Sequence, residues 1–239
     1  MKTHRHISLA ALAALTLSAA GCRLEPGPTD YASQSFVDMR EDADQASANT
    51  FLPGPDPFVE GESRISFGPF YEGSSSEQLP VDDVNNFFFI FQAEGQLSFD
   101  VVESADRVEG FTSDTFVHNG TAFWGMSIAF YDGDPNAGGN PRPEDFSKWS
   151  TMHISLRSSD AAFSQLNIGQ SSASGEGLIR ATDYGYENDG EWHSLEIPMA
   201  DLQAAGADLS AITSPLVMTG GSGELGESLQ VDNFYLSGE

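Results

Sequence analysis

The sequence predicts an all-β protein: a two-sheet antiparallel β-sandwich of the jelly-roll kind, carried after a flexible tether. Three observations lead to this. The chain of 239 residues holds 17 Phe, 24 Gly and 12 Pro, a composition of aromatic strand formers and frequent turns. At least seven short segments alternate in polarity or run continuously apolar between turn clusters. No segment sustains the 3.6-residue period of a long helix, and there is no internal repeat.

The elements read in order as follows. Phe87-Phe88-Phe89-Ile90-Phe91 is a continuous apolar strand, and residues 97–102 follow after a Glu94-Gly95 turn. Residues 121–131 form a longer strand. By period two, Trp124, Met126, Ile128 and Phe130 share one face and Phe123, Gly125, Ser127 and Ala129 the other, so Trp124 reads as core. In 151–157, Met152, Ile154 and Leu156 point one way, and Thr151, His153, Ser155 and Arg157 the other. In 163–169, Leu166 and Ile168 point inward, Gln165 and Asn167 outward. Segments 192–197, 216–218 and 229–236 complete the set. Trp192 opens its strand and reads as a core anchor; Pro198, lacking an N–H, ends the pairing. Residues 199–207 fit a single helical turn. Asp132-Gly133-Asp134-Pro135, Asn188-Asp189-Gly190 and residues 219–223 are turn clusters.

The N-terminus has a separate logic. Lys2 and Arg5 precede residues 7–20, which are apolar or small apart from Ser8, Thr16 and Ser18. Fourteen residues make about 21 Å of helix at ~1.5 Å each, short of a bilayer core of ~30 Å, and fit a signal-peptide core. The run ends in Leu17-Ser18-Ala19-Ala20-Gly21-Cys22, which resembles a lipobox, although the leucine stands at Leu17 where the pattern prefers the place of Ala19. Cys22 is the only cysteine, so it has no disulfide partner within the chain, and lipidation accounts for it. The resemblance implies a bacterial lipoprotein with residues 1–21 as signal peptide and an acylated Cys22. Arg23 after the cysteine points, by analogy with known sorting, to the outer membrane of the cell envelope. Residues 22–62 then read as an acidic tether: prolines scattered among Asp, Glu, Ser, Ala and Gln bury too little apolar area to offset ordering entropy, although a short helix over 36–48 fits the pattern. Deleting 23–60 should change melting little. Residues 63–239 form the sandwich.

All 36 acidic residues follow residue 21 and eight of the ten Lys and Arg remain there, so the mature charge is 8 − 36 = −28. With Lys148 the only lysine left, this excludes nucleic acid, whose phosphates need clustered cations, and electrostatic docking on anionic lipid. Either a solvated surface or a salt-tolerant source accounts for the acidity.

The C-terminal third carries a resemblance: Asp183-Tyr184-Gly185-Tyr186, the run Asp189-Gly190-Glu191-Trp192-His193 on to Pro198, residues 205–216, and Leu229-Gln230-Val231-Asp232-Asn233-Phe234-Tyr235-Leu236. Upstream, Asp106-Arg107-Val108-Glu109-Gly110-Phe111-Thr112-Ser113, Phe123-Trp124-Gly125 and Asp145-Phe146-Ser147-Lys148-Trp149 belong with it. Over residues 65–239 the chain resembles the galactose-binding-like β-sandwich domains found beside polysaccharide-degrading enzymes, above all the C-terminal domain of exo-β-glucanases. The likeness implies a non-catalytic carbohydrate-binding module, because the chain has no room for a catalytic domain.

His153, Arg157, Gln165 and Asn167 sit with outward parity on neighbouring expected strands, and their donors and acceptors suit sugar hydroxyls. Tyr184 and Tyr186 in a nearby loop could stack on sugar faces. Equally, exposed strands simply carry polar side chains. Asp132, Asp134 and Asn136 have the alternating oxygens of a calcium loop, without the glycine and glutamate positions of an EF-hand. Asp232 is a second candidate ligand for a structural calcium, by likeness to related sandwiches, or else a hydrogen-bonding residue at a bulge. No nucleophile elbow, zinc-binding helix or phosphate loop is present, and His118, His153 and His193 lack metal-ligand spacing.

The expectation is a monomeric, non-catalytic, membrane-anchored lipoprotein that binds a polysaccharide or oligosaccharide, β-glucan first. The alternative is an envelope structural or assembly lipoprotein with a protein partner. On the outward-face reading, Arg157→Ala weakens binding and Trp192→Ala costs about 3–5 kcal/mol of stability. Cys22→Ala should leave the protein exported and free of membranes; a variant that still fractionates with membranes, beside a wild type without acyl chains, contradicts the anchor.

Overall fold

The computed structural model describes residues 25–26, 51–53, 61–67, 70–71, 77–79, 86–93 and 95–238. The signal segment, Cys22, the possible helix over 36–48 and most of the tether lie outside the described residues.

The longer strands among the described residues are β1 (Ser63–Phe67), β2 (Glu77–Leu79), β3 (Asn86–Ile90), β4 (Phe99–Ser104), β5 (Ser113–Asn119), β6 (Trp124–Asp132), β7 (Trp149–Arg157), β8 (Asn167–Ser172), β9 (Glu176–Arg180), β10 (His193–Pro198), β11 (Ile212–Gly220) and β12 (Leu225–Gly238), and the described residues hold one α-helix, α1 (Met199–Ala205), between β10 and β11. Sheet A runs β3-β6-β11-β8-β9, and sheet B runs β10-β7-β12-β5-β4. β1 joins the C-terminal half of β12, and β2 pairs with β1 in parallel, the one departure from antiparallel pairing among the described strands.

The alternation seen in sequence sets the inner faces. Trp124, Met126, Ile128 and Phe130 of sheet A meet Met152, Ile154, Leu156, Phe116 and Phe234 of sheet B in one buried core. Aromatic rings fill its length: Phe67 stacks on Phe234 at 5.3 Å, and Phe99 meets Phe116 edge-on at 5.5 Å. The stretch expected as a strand from residue 163 begins as a 3-10 turn, Ala161–Phe163, and becomes strand only at Asn167. The turn inserts Phe163 into the core 5.2 Å from Trp124, whose indole N–H donates to the Ala162 carbonyl (3.2 Å). Pro215 lies inside β11 beside a register shift, where its missing N–H is tolerated.

Two parts of the expected tether pair with the rest of the chain, one on sheet A and one on the strap between β4 and β5. Glu25–Pro26 pairs with β3, and Leu52–Pro53 pairs with Glu109–Gly110, while Phe51 meets Phe111 edge-on at 5.5 Å. Deleting 23–60 therefore removes pairing and ring contacts, and lower stability is expected in place of little change.

The centre of the outer face of sheet B is covered, while Val102, Ser194 and Glu196 toward its edges are exposed. Residues 105–112, between β4 and β5, cross it as a strap. Beneath the strap, Asp232 is 1% exposed; its carboxylate accepts from the backbone N–H groups of Val108 (2.6 Å), Glu109 (3.0 Å) and Asn233 (2.7 Å). Asn233 adopts a left-handed φ of 56° at the register shift opposite His153 and Ser155, so Asp232 and Asn233 form a β-bulge. The strap's far side is held by Asp106, which pairs with Arg157 and accepts from the Trp192 indole N–H (3.2 Å). Trp192 is thus half-buried on the outside of sheet B, not the core anchor its strand position implied. Asp232→Ala would orphan buried N–H groups and should cost about 2–4 kcal/mol in urea unfolding; a loss under ~0.5 kcal/mol would show that the strap does not depend on it.

Candidate functional site

Sheet A keeps its outer face open. A groove of about 420 Å³ runs along β6 there, lined from Phe123, Phe91 and Gln92 at one end to Tyr131 and Ala129 at the other, with Ser127 and Val217 between and Ser171, Ser214, Glu176 and Thr219 along the far side. Its floor is low because the outward positions of β6 are small. Gly125 is the tightest: a Cβ there would lie 2.2 Å from the Phe91 ring, so only glycine admits that ring this close to the strand. Across the face, Phe89, Ser127 and Val217 form one register row, and Gly125, Thr219 and Asn167 the next.

The aromatic residues are graded in exposure. Phe87 and Phe89 are buried in a second small cluster with Ala129, and Tyr131 rests 5.9 Å from each of them. Phe91 is half-buried, and Phe123 stands out at 41% exposed. Burial raises the Tyr131 phenol above its ordinary pKa, which keeps it a neutral donor and acceptor. Glu176, the one carboxylate among the described lining residues, accepts from the Ser171 hydroxyl (3.2 Å). The groove offers apolar ring surface beside hydroxyl, amide and carboxylate groups, a combination that fits a ligand with apolar faces and hydroxyl edges.

The residues singled out from sequence are distributed differently. His153 and Arg157 are in sheet B, while Asn167 is in sheet A and Gln165 is exposed in the turn before it, so the four do not share a surface. Outward parity was correct for both strands, but parity does not say which sheet a strand joins. His153 is 8% exposed and stacks on Tyr235 at 4.2 Å, with Nε2 hydrogen-bonded to the Ser237 hydroxyl (2.8 Å). Arg157 donates to the Gly190 carbonyl (2.5 Å) and pairs with Asp106. Tyr186 is buried, its hydroxyl donating to Asn188 (3.1 Å), and Tyr184 is tied to Asp201 on α1 (2.9 Å). Only Asn167 reaches the groove's face, beside Thr219.

Among the described residues no three His, Cys, Asp or Glu side chains are grouped to hold a metal. Asp132 lies 3.8 Å from the Arg142 guanidinium, and the Asp134 carbonyl accepts from Ala137 and Gly139. Asn136 falls in the 3-10 turn Pro135–Ala137. Asp232 serves the strap, the hydrogen-bonding alternative for that position. The groove itself was legible as Phe123, Gly125, Ser127, Ala129 and Tyr131: small residues on one strand face between two aromatics.

No family model matches the chain, and no curated protein matches it. Solved structures similar to it include the family 11 carbohydrate-binding module of the cellulosomal cellulase Lic26A-Cel5E of Clostridium thermocellum (15% identity over 65% of this chain and 89% of that one, TM-score 0.42). A family 30 carbohydrate-binding module is similar at 12% identity over 62% of this chain and 80% of that one, TM-score 0.46. The exo-1,3/1,4-β-glucanase of a Pseudoalteromonas species is similar at 16% identity over 78% of this chain and 20% of that one, TM-score 0.38.

Gly125→Ala should force Phe91 off the sheet, with a loss of about 1–3 kcal/mol in thermal or urea unfolding. An unchanged stability would mean that the ring does not lie against Gly125.

Proposed function

We propose that the protein is a non-catalytic, membrane-anchored module that holds a neutral polysaccharide, β-glucan foremost, in the sheet A groove. The observation that supports this best is the groove's construction: exposed Phe123 and half-buried Phe91 over a floor of small side chains, with hydroxyls of Ser127, Ser171, Ser214 and Thr219 around them. Pyranose rings present C–H faces to aromatic rings and hydroxyls to such edges. The mature charge of −28 opposes polyanionic glycans. Polar contacts on an open face are partly solvated and add ~0.5–1.5 kcal/mol each, so affinities of roughly 10 μM to 1 mM are expected. Acylation of Cys22, which lies outside the described residues, would hold the module at the envelope surface.

Titration calorimetry of the unlipidated protein against cello- and laminari-oligosaccharides tests the reading. Phe123→Ala should weaken binding about tenfold with little change in melting, as one lost ring–sugar contact implies. Arg157→Ala should leave affinity intact and lower stability, because Arg157 holds the strap. No heat with any neutral glycan, together with specific capture of an envelope protein, would overturn the proposal.

A further inference from the structure

His118 is the penultimate residue of β5, on the core side and wholly buried, with its ring 5.5 Å from Phe99 and 6.4 Å from Phe163. Its Nδ1 accepts from the Gly120 N–H (2.9 Å), and Gly120 turns the chain with φ at 75°. The following residues lead directly to the groove. The Thr121 hydroxyl donates to the Phe123 carbonyl (2.7 Å), and the Thr121 carbonyl accepts from the Gly223 N–H (3.3 Å). An imidazole that accepts at Nδ1 carries its proton on Nε2. That atom lies against Gly223, where an added Cβ would come within 2.7 Å of it, and it has no hydrogen-bond partner among the described residues.

We infer that His118 is a positioning residue: in its neutral form it holds the 118–123 turn that presents Phe123, and its protonation releases that turn. The inference concerns the same groove, and its effect on ligand rests on the glycan reading above. A proton added at Nδ1 sets two donors, Nδ1–H and Gly120 N–H, against each other, and it places a cation among aromatic rings. The charged groups facing His118 are Glu224 and Glu227, at the start of the β12 hairpin arm; β4 and the 3-10 turn present Phe99 and Phe163, which do not titrate. Glu227 is already engaged, accepting from the Ala162 and Glu224 N–H groups. Burial outweighs the attraction of both carboxylates and holds the His118 pKa below its ordinary value of 6.5. The unfolded chain therefore binds the proton first. Stability from the neutral ring is complete above the unfolded pKa and is lost as pH falls from there through the folded pKa.

Two measurements test this. In ligand-free protein, NMR should show the His118 ring, the Gly120 amide and the Phe123 ring titrating with one common midpoint below 6.5. With cellohexaose and laminarihexaose, affinity should fall roughly three- to tenfold from about pH 7.5 to about pH 5. His118→Asn, whose amide oxygen takes the place of Nδ1 without titrating there, should bind at full strength across that range. His118→Phe should bind weakly throughout. The inference is overturned if Gly120 and Phe123 ignore the titration of His118, or if His118→Asn keeps the wild-type fall. A common midpoint with no heat from either glycan at any pH would support the coupling and overturn the glycan reading of the groove. The ligand-free measurement on wild-type protein stands even where a variant fails to fold.

Discussion

The carboxylate of Asp232 is the fastening on which the division between the two sheets depends. A buried carboxylate is costly unless its lone pairs are met by donors, and this one meets three backbone N–H groups, two of them from the strap. The same contacts satisfy strap N–H groups that would otherwise be buried without partners. From the strap, Asp106 reaches Arg157 at the end of β7 and Trp192 just before β10, at the far side of sheet B. Further along the face, His153 stacks on Tyr235, and the Arg64 guanidinium lies 4.7 Å from the centre of the same ring. Asp232, His153, Ser155 and Arg64, polar residues on the outward side of sheet B, are therefore buried groups and not a free surface.

Sheet A follows the opposite logic. The chain buries Phe116, Phe130, Phe163 and Phe234 completely, yet leaves Phe123 at 41% beside half-buried Phe91. A single exposed apolar residue has no particular meaning. Here two such rings stand together at one end of a channel whose floor is kept low by Gly125, Ser127 and Ala129 and whose far side carries hydroxyls. Concave apolar surface with a few convergent polar groups is the usual form of a small-molecule site.

The fold was largely legible because alternation over residues 121–131 and 151–157 separates core from exterior directly. Ser113–Asn119 escaped because Asp114 and His118 are buried polar residues that disguise the pattern, and Glu176–Arg180 because it is short, with a glycine and charged ends. The site was less legible. Placing His153 and Arg157 with Gln165 and Asn167 needed knowledge of which sheet each strand joins, which is a long-range property. The motifs that carry the family resemblance, Asp106 to Ser113, Asp189 to Pro198 and Asp232-Asn233, are the strap, the edge strand with its Trp192 contact, and the bulge. These three fasten the fold on sheet B, while Phe123-Trp124-Gly125, which shares the resemblance, lies at the groove.

The central claim is that ligand enters on sheet A, because the centre of sheet B's outer face is covered. Amide shift mapping during titration of the unlipidated protein with a neutral β-glucan oligosaccharide measures this directly. The account predicts saturable shifts at Phe91, Phe123, Ser127, Asn167 and Thr219, with His153, Arg157 and Tyr235 unmoved. Shifts confined to His153, Arg157 and the strap would contradict it.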